Sequence, residues 1–262
     1  MKIRNILAAT AITAWSGMSY AGFVTTFGQT ANGLASFPLT LYPEASNARN
    51  AFVTSLGPGA SVSFYDFEAA DLDATALNDI SFGAVTADLS GGTVKSGNDE
   101  GRYSVSGNSG SPSQGSRYWS ATAPNGSASS FQLDFSGAVQ SFGFFATDVG
   151  DWDGKLSLVL TRTDGSEVTI SPGIGGPFGD PIVGDDAEGS VLFFGVRATI
   201  ADDYFRSVRF VSTGGSSDDV FSFDMFTVVA APGGPVPPVS LPGTLGLVGV
   251  ALAAVALLRR RT

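Results

Sequence analysis

The chain of 262 residues contains no cysteine and no histidine. Without cysteine no disulfide forms, so apolar burial must hold the folded part together. The two absences also exclude Ser-His-Asp triads, cysteine nucleophiles, His- or Cys-ligated zinc and haem iron. Lys95 and Lys155 are the only lysines after Lys2, and neither lies in a recognisable Ser-Lys motif. Elimination therefore favours a protein that is not an enzyme.

Positive charge is also scarce once the two ends are set aside. Between residues 22 and 230 the chain carries 9 basic against 24 acidic residues, a net charge near −15. Such a field repels nucleic acid and anionic lipid, which are bound through Lys and Arg. It favours cations, neutral sugars or basic proteins as partners, although surface acidity also serves solubility alone.

The N-terminus has the order of a secretory leader. Lys2 and Arg4 precede a mostly apolar run over residues 6–15, and Ser19-Tyr20-Ala21 offers small residues at the two positions that signal peptidase inspects. This pattern predicts a signal peptide over residues 1–21 that is cut between Ala21 and Gly22. An uncleaved anchor is the weaker interpretation, because the run is shorter than the roughly 20 residues of a spanning helix.

The C-terminus has a different order. A Pro/Gly-rich linker covers residues 231–242, an uncharged run follows over residues 243–258, and Arg259, Arg260 and Arg261 come almost at the end. The apolar run and the arginines predict one transmembrane helix with a cytoplasmic tail over residues 243–262. This orientation places residues 22–230, the predicted ectodomain, outside the membrane.

The same tail resembles the PEP-CTERM sorting signal of exported proteins of Gram-negative bacteria. The match lies in Leu241-Pro242-Gly243, the apolar run and the arginine cluster. The family's Pro-Glu-Pro core aligns with Ser240-Leu241-Pro242, so only the second proline is kept. The resemblance implies processing by an exosortase, an anchored precursor in the inner membrane, a final place at the cell surface or outside the cell, and association with exopolysaccharide and biofilm. An ordinary single-pass tail anchor is the alternative.

The predicted ectodomain shows the period of strands. Apolar residues alternate with polar ones in several short runs that end in Gly, Ser or Asp. The clearest runs are Phe131/Leu133/Phe135, Leu156/Leu158/Leu160, Val208/Phe210 and Phe221/Phe223/Met225, and further strands are predicted over 62–67, 80–85, 139–146 and 191–196. Many short strands with 20 phenylalanines favour an all-β fold, an antiparallel β-sandwich of jelly-roll type.

Turns and loops complete this prediction. Asp164-Gly165 predicts a tight hairpin turn, in which both central residues adopt positive φ. The only weakly helical segment is 66–77. Residues 107–130, rich in Gly and Ser, and residues 172–189, with three prolines and repeated glycines, predict two long loops.

Three segments carry a fainter resemblance. SFGFFATDVGDWDG, GSVLFFGV and VFSFDMFTV resemble segments of other exosortase-dependent surface proteins. The sandwich of those proteins is similar to galactose-binding-like and carbohydrate-binding modules, and the resemblance implies that fold here.

Two sets of carboxylates are candidate calcium ligands. Asp148, Asp151 and Asp153 lie in a glycine-containing loop, where alternating carboxylates can converge on one ion. Solvated turn residues are the other interpretation of this loop.

The second set follows from fold analogy and pairs Asp66 or Glu68 with Asp224 on the last strand. A carboxylate that interrupts an apolar run needs a cation or hydrogen bonds if it is buried. Alternation offers the simpler interpretation that Asp224 faces water.

Two tryptophans are candidates for sugar binding. Trp119 follows the Gly/Ser-rich loop and Trp152 lies inside the acidic loop. An exposed indole can stack on a pyranose ring while nearby carboxylates accept hydrogen bonds from its hydroxyls. Packing in the core is the alternative for both.

Three classes of function remain open. The first is a non-enzymatic exported surface or matrix protein, with signal peptidase, an exosortase, the inner membrane and exopolysaccharide as partners and no nucleic acid. The second is a carbohydrate-binding or calcium-dependent adhesion module. The third is a secreted glycoside hydrolase that uses two carboxylates.

Overall fold

The structure is a computed structural model that describes residues 16–20, 22–30, 42–97, 102–106, 117–123, 129–149, 154–170, 190–214 and 219–233. The strands are β1 (Ser16–Tyr20), β2 (Phe23–Thr30), β3 (Val62–Tyr65), β4 (Ala76–Phe82), β5 (Val85–Ser90), β6 (Thr93–Ser96), β7 (Arg117–Ala123), β8 (Ser129–Thr147), β9 (Gly154–Arg162), β10 (Glu167–Ile170), β11 (Val191–Ala198), β12 (Phe205–Gly214) and β13 (Asp219–Ala230). The helices are α1 (Pro43–Ser55) and a 3₁₀ turn (Ala201–Asp203).

The long strand β8 joins two antiparallel sheets. Its first half pairs with β5 and β12, and its second half pairs with β11 and β13. The partners change near Val139, where a strand passing from one sheet to the other forms a corner of the sandwich. Hydrogen bonding therefore connects all 13 strands although they lie in two layers.

We call the two layers sheet I and sheet II. Sheet I has the order β1-β2-β11-β8-β13, after which β13 pairs with β3 along one part and with β7 along another, and β6 pairs with β7. Sheet II has the order β4-β5-β8-β12-β9-β10. The predicted all-β antiparallel sandwich is confirmed at this level.

The main core lies between the two sheets and is rich in phenylalanine. Phe210 of sheet II packs against Phe144 and Phe223 of sheet I, with ring centroids 5.0 and 5.2 Å apart. Phe131 stacks on Phe210 at 4.0 Å. The alternating residues that the sequence singled out on β8, β9, β12 and β13 face this core, with the exception of Met225.

A second apolar cluster covers the outer face of sheet I, and we call it the helix-side core. Its buried members are Tyr42, Ala45, Ala48, Phe52, Tyr103, Val105, Phe145, Val191 and Phe193. The helix α1 begins with Pro43 at its first position, where a missing N–H costs nothing. Phe52 lies over Gly195, where a Cβ would stand 2.5 Å from its ring. The glycine lets the helix approach the sheet closely.

Several local predictions were wrong. The helix is α1, whereas residues 66–75 form turns and bends in which Phe67 and Asp73 have positive φ, and β4 begins at Ala76. Residues 80–85 are not one strand but contain the β4–β5 turn, in which Gly83 has a φ of 72°. The loop predicted over 107–130 contains β7 and the start of β8. The local composition did not reveal these elements, because contacts with distant parts of the chain decide them: pairing with other strands for the strands, and packing on sheet I for α1.

The β9–β10 hairpin is confirmed at Asp164-Gly165, with one correction. The Arg162 amide donates to the Ser166 carbonyl at 2.8 Å and closes the turn. Only Gly165 has a positive φ, of 88°. The Asp164 carboxylate instead accepts hydrogen bonds from the Ser166 amide and hydroxyl, at 2.8 and 2.7 Å.

Both predicted ends lie mostly outside the described residues. The apolar run 243–258, the sorting residues Ser240, Leu241, Pro242 and Gly243, and the arginines Arg259–Arg261 are among those not described, and so are Ala21 and the loop 172–189. Within the ranges that the structure describes, no helix is long and apolar enough to cross a membrane. Residues 16–20, inside the predicted leader, pair with β2 as strand β1.

Candidate functional site

Asp224 lies on the outer face of sheet I and is nevertheless buried. Its neighbours Phe221 and Phe223 face the main core, so alternation turns Asp224 away from it. The prediction that it faces water is wrong, since the side chain is only 1 % exposed. The pairing register of β13 with β8 shifts between Asp224 and Thr227, and Met225 has a φ of 48° in this bulge.

The segment 103–106 covers this carboxylate and supplies most of its hydrogen bonds. Its Oδ2 accepts from the Ser104 hydroxyl at 2.6 Å, the Val105 amide at 2.8 Å and the Ser106 amide at 3.0 Å. Its Oδ1 accepts from the Met225 amide at 2.6 Å. Four donors thus converge on one carboxylate, which holds an otherwise irregular piece of chain against the sheet.

Burial and hydrogen bonding oppose each other at this group. Burial raises the pKa of Asp224 to about 7, and the donors from Ser104, Ser106 and Met225 lower it. Desolvation disfavours the ionised form, whereas each N–H or O–H that points at the oxygens favours it. Asp224 is therefore a titratable group near neutral pH.

A row of buried hydroxyls extends the contact beyond Asp224. The Thr147 hydroxyl of β8 forms a hydrogen bond with the Ser222 hydroxyl of β13. The Tyr103 amide donates to Thr147 Oγ1 at 3.3 Å, and the Ser222 hydroxyl donates to the Tyr103 carbonyl at 3.0 Å. We call these residues, together with Ser104, Ser106 and Asp224, the Asp224 network.

Tyr103 connects the network to helix α1. Its hydroxyl donates to the Tyr42 hydroxyl at 2.6 Å, directly before α1 begins. Burial is the main cause that raises the pKa of Tyr103, followed by Tyr42 and by the charge of Asp148. The phenol stays neutral at any physiological pH and acts as a structural donor.

The second calcium hypothesis concerns the acidic residues next to this network. Ser106 stands between them, since its amide donates to Asp224 and its hydroxyl to Glu68 Oε1 at 3.4 Å and to the Asp66 carbonyl at 3.5 Å. Glu68 also accepts from the Arg117 amide at 3.0 Å. Protein donors already satisfy both oxygens of Asp224, an environment that does not fit a cation there. No three acidic side chains of the described ranges form a metal-binding group.

The first calcium hypothesis falls largely outside the described residues. Asp151 and Asp153 are not described, so their convergence stays a prediction. Asp148 is buried with a φ of 64°, and its amide donates to the Ser190 carbonyl at 3.2 Å. It therefore begins the acidic loop from a fixed position at the end of β8.

The two tryptophans have different outcomes. Trp119 is 0 % exposed and packs with its indole stacked on Phe67, the ring centroids 6.3 Å apart. It belongs to the main core, so the core-packing alternative holds and no indole face is available to a sugar. Trp152 lies outside the described residues and remains a prediction.

A shallow hollow opens at one end of the main core. It is lined by Ala121, Thr122, Ser130, Phe131, Leu156, Phe210, Ser212, Phe221 and Phe223. Its free volume of about 10 Å³ leaves room for a single water and not for a sugar ring.

Sequence reasoning singled out Asp224 but missed what surrounds it. Ser104 and Ser106 lie in a segment assigned to no element, and nothing in their local pattern points to β13. The one available signal was the polar alternation of Ser222 and Asp224 on an otherwise apolar strand. That signal predicts the side that these residues face, but not that another segment covers this side.

Comparisons with known proteins give a likeness of fold. No protein-family model matches the chain, and no curated protein does. The structure is similar to the carbohydrate-binding module TmCBM61 in complex with β-1,4-galactotriose, at a TM-score of 0.35 and 15 % identity over 63 % of this chain and 94 % of the other. It is also similar to the K2 cleaved adhesin domain of Lys-gingipain, at a TM-score of 0.37 and 13 % identity over 64 % and 99 % of the two chains.

A third similar structure is the family 11 carbohydrate-binding module from Clostridium thermocellum with a mixed-linked tetrasaccharide. It has a TM-score of 0.34 and 9 % identity over 66 % of this chain and 98 % of the other. Likeness at these values concerns the arrangement of strands and says nothing about a ligand of this chain.

Proposed function

We propose that this chain is an exported, non-enzymatic surface or extracellular-matrix protein that an exosortase sorts through its C-terminal tail. The observation that carries the proposal is the order of Pro242, the uncharged run 243–258 and the three terminal arginines. A leader that ends at Ala21 supports the same export route. The exported part is a sandwich of jelly-roll, galactose-binding-like type, associated with exopolysaccharide and biofilm.

The described residues support a scaffold and not an active site. Asp224, whose pKa burial raises to about 7, is sealed beneath segment 103–106, where no substrate reaches it. The absence of histidine and cysteine removes the usual general bases and nucleophiles. A hydrolase would need two accessible carboxylates across a cleft.

The sorting proposal is tested by the mass of the protein recovered from inner membrane, outer surface and medium of the producing cells. We expect a mature species that begins at Gly22 and has lost Arg259–Arg261. Pro242→Ala is expected to leave the full tail on a protein retained in the inner membrane, whereas Pro238→Ala, in the same linker, leaves processing intact. A full tail on the wild-type protein would contradict the proposal and leave a membrane-tethered sandwich.

A carbohydrate-binding role is the second candidate. The observation that favours it is the position of Trp152 in the sequence, between Asp151 and Asp153, within a chain that is strongly acidic between residues 22 and 230. Affinity electrophoresis of the exported protein through neutral polysaccharides measures such binding. We expect Trp152→Ala to abolish retardation and Trp119→Phe, a change inside the core, to preserve it. Equal retardation of Trp152→Ala and wild type would remove Trp152 from the proposal.

Calcium binding by the acidic loop belongs to the same candidate. EDTA is expected to lower the Tm of the wild type and to leave that of Asp151→Ala unchanged. An EDTA-independent Tm of the wild type would favour solvated turn residues instead.

A further inference from the structure

Gly22 lies against a buried carboxylate at the start of β2. A Cβ at this position would stand 1.7 Å from Asp203 Oδ2, and Gly22 has a φ of 85°, so only glycine fits. The Gly22 carbonyl accepts hydrogen bonds from the Thr199 amide at 2.9 Å and from its hydroxyl at 3.1 Å. These contacts hold Gly22 against Asp203.

Asp203 has one oxygen engaged and one directed at Gly22. Its Oδ1 accepts from Arg162 Nε at 2.8 Å, and the residue is 6 % exposed. The Arg162 guanidinium also lies 5.5 Å from the ring centroid of Phe23. Oδ2 accepts no hydrogen bond from any residue in the described part of the chain.

The backbone nitrogen of Gly22 is within reach of this second oxygen. Standard bond lengths and angles place the N and Cβ positions of one residue about 2.5 Å apart. Together with the 1.7 Å between that Cβ position and Oδ2, this puts the nitrogen no farther than about 4.2 Å from Oδ2. A side-chain rotation of a few tenths of an ångström brings the two atoms within the distance of an ion pair, if the nitrogen carries a charge.

We propose that cleavage after Ala21 turns the Gly22 nitrogen into the second cationic partner of Asp203. Hydrolysis breaks the Ala21–Gly22 amide bond, water supplies the hydroxyl of the new Ala21 carboxyl group, and the freed amine takes a proton from solvent. The resulting α-ammonium pairs with Oδ2 while Arg162 keeps Oδ1. This inference rests on the leader prediction of the proposed function and adds a role for the new terminus.

The consequence is an exchange of contacts at the edge of sheet I. Strand β1 pairs with the first half of β2 in the uncleaved chain and leaves with the leader. The pairing of β2 with β11, from Phe23–Ala198 to Thr30–Val191, is unaffected. The ion pair then fixes the first residue of β2, where a free chain end would otherwise fray.

The test uses the protein exported by the producing cells, with its first residue determined by intact mass. Wild type and Asp203→Asn are each prepared with the natural cleavage site and with Ala-Ser inserted between Ala21 and Gly22, which moves the ammonium away. At pH 6.5 we expect Asp203→Asn to lower the Tm of the protein with the natural cleavage site by about 3 °C more than it lowers the Tm of the protein with the Ala-Ser insertion.

The pH dependence gives a second measurement that does not need Asp203→Asn to fold. An α-amine titrates at about pH 8, and a carboxylate beside it raises that pKa in the folded state. Its stabilisation is therefore full below about pH 8 and is lost as the pH rises further. The charged groups around it are Asp203, Arg162 from β9 and the adjacent exposed Asp202.

Between pH 7 and pH 10 the natural wild type is thus expected to lose about 3 °C more in Tm than the inserted one. If the mature protein begins at Gly22, but the insertion changes neither the loss of Tm with pH nor the effect of Asp203→Asn on the Tm, this inference is wrong and the leader prediction stands. A mature protein with another first residue overturns it together with the leader prediction.

Discussion

The two faces of sheet I are covered in different ways. Its inner face meets sheet II, and regular strands on both sides leave only side chains to pack, nearly all of them apolar. Its outer face meets helix α1 and the irregular segment 103–106, which brings backbone amides and carbonyls with it. A covering segment without regular structure has no ladder partners, so the sheet must provide hydrogen-bond acceptors and donors for its backbone. Asp224, Thr147 and Ser222 provide them.

This difference teaches where polar residues are needed in a core. Phe144 and Phe145 are neighbours on β8 and both are 0 % exposed, but the face that carries Phe145 also carries the buried carboxyl group of Asp224. Hydrophobic burial alone is non-directional and tolerates any well-shaped partner. The Asp224 network fixes which segment lies on the outer face and in which register.

Truncating the two neighbouring phenylalanines gives the largest expected effect. Phe144 packs against Phe142, Phe194, Phe210 and Phe223. We expect Phe144→Ala to lower the free energy of unfolding by about 4 kcal/mol and Phe145→Ala by about 3 kcal/mol. Chemical denaturation measures both, and hydrogen exchange should show that Phe145→Ala loosens α1 before the strands. A larger cost for Phe145→Ala would contradict this comparison.

Removing the buried carboxylate is expected to cost somewhat less. Asp224→Ala leaves four donors without their acceptor: the amides of Val105, Ser106 and Met225 and the Ser104 hydroxyl. We expect it to lower the free energy of unfolding by about 3 kcal/mol. Hydrogen exchange at 103–106 should rise before global unfolding. The matched control is Asp134→Ala, an exposed carboxylate on β8, which is expected to change stability by less than about 0.5 kcal/mol. Unchanged protection of 103–106 would show that the network does not hold the segment.

How far the sequence predicts this molecule follows from the same contrast. Alternation on β8, β9, β12 and β13 identified the inner face. Successive residues of a strand point to opposite faces of the sheet, so the apolar residues at every second position show which face is buried. It failed for α1, whose apolar face consists of two alanines and Phe52 and depends on glycines in distant strands. It also missed Ser104 and Ser106, since their partner is more than a hundred residues away.

The close approach of helix and sheet gives a smaller expected effect. A methyl group at Gly195 would meet three ring atoms of Phe52 at 2.5 to 2.8 Å. We expect Gly195→Ala to cost about 2 kcal/mol through overpacking, measured by thermal unfolding. The Phe52→Leu background relieves the contact, so the second substitution there should cost less than about 1 kcal/mol. Equal costs in both backgrounds would mean that the clash is with other atoms.

The smallest expected effect is the dependence of the outer face on pH. Burial raises the pKa of Asp224 to about 7 from an ordinary value of 3.8, so between these values the folded protein holds a proton that the unfolded chain releases. The stability linked to that proton is full below the unfolded pKa and is lost as the pH rises through the folded one. From pH 6 to pH 8 the titration of Asp224 should lower the free energy of unfolding of the wild type by about 1 kcal/mol. The measurement is the difference in free energy of unfolding between wild type and Asp224→Ala, which should become smaller over this range. Burial also raises the pKa of Glu68, so the series is repeated in Glu68→Gln to isolate Asp224. A gap that stays constant, or widens with pH, would show that the four donors outweigh desolvation and keep Asp224 ionised throughout.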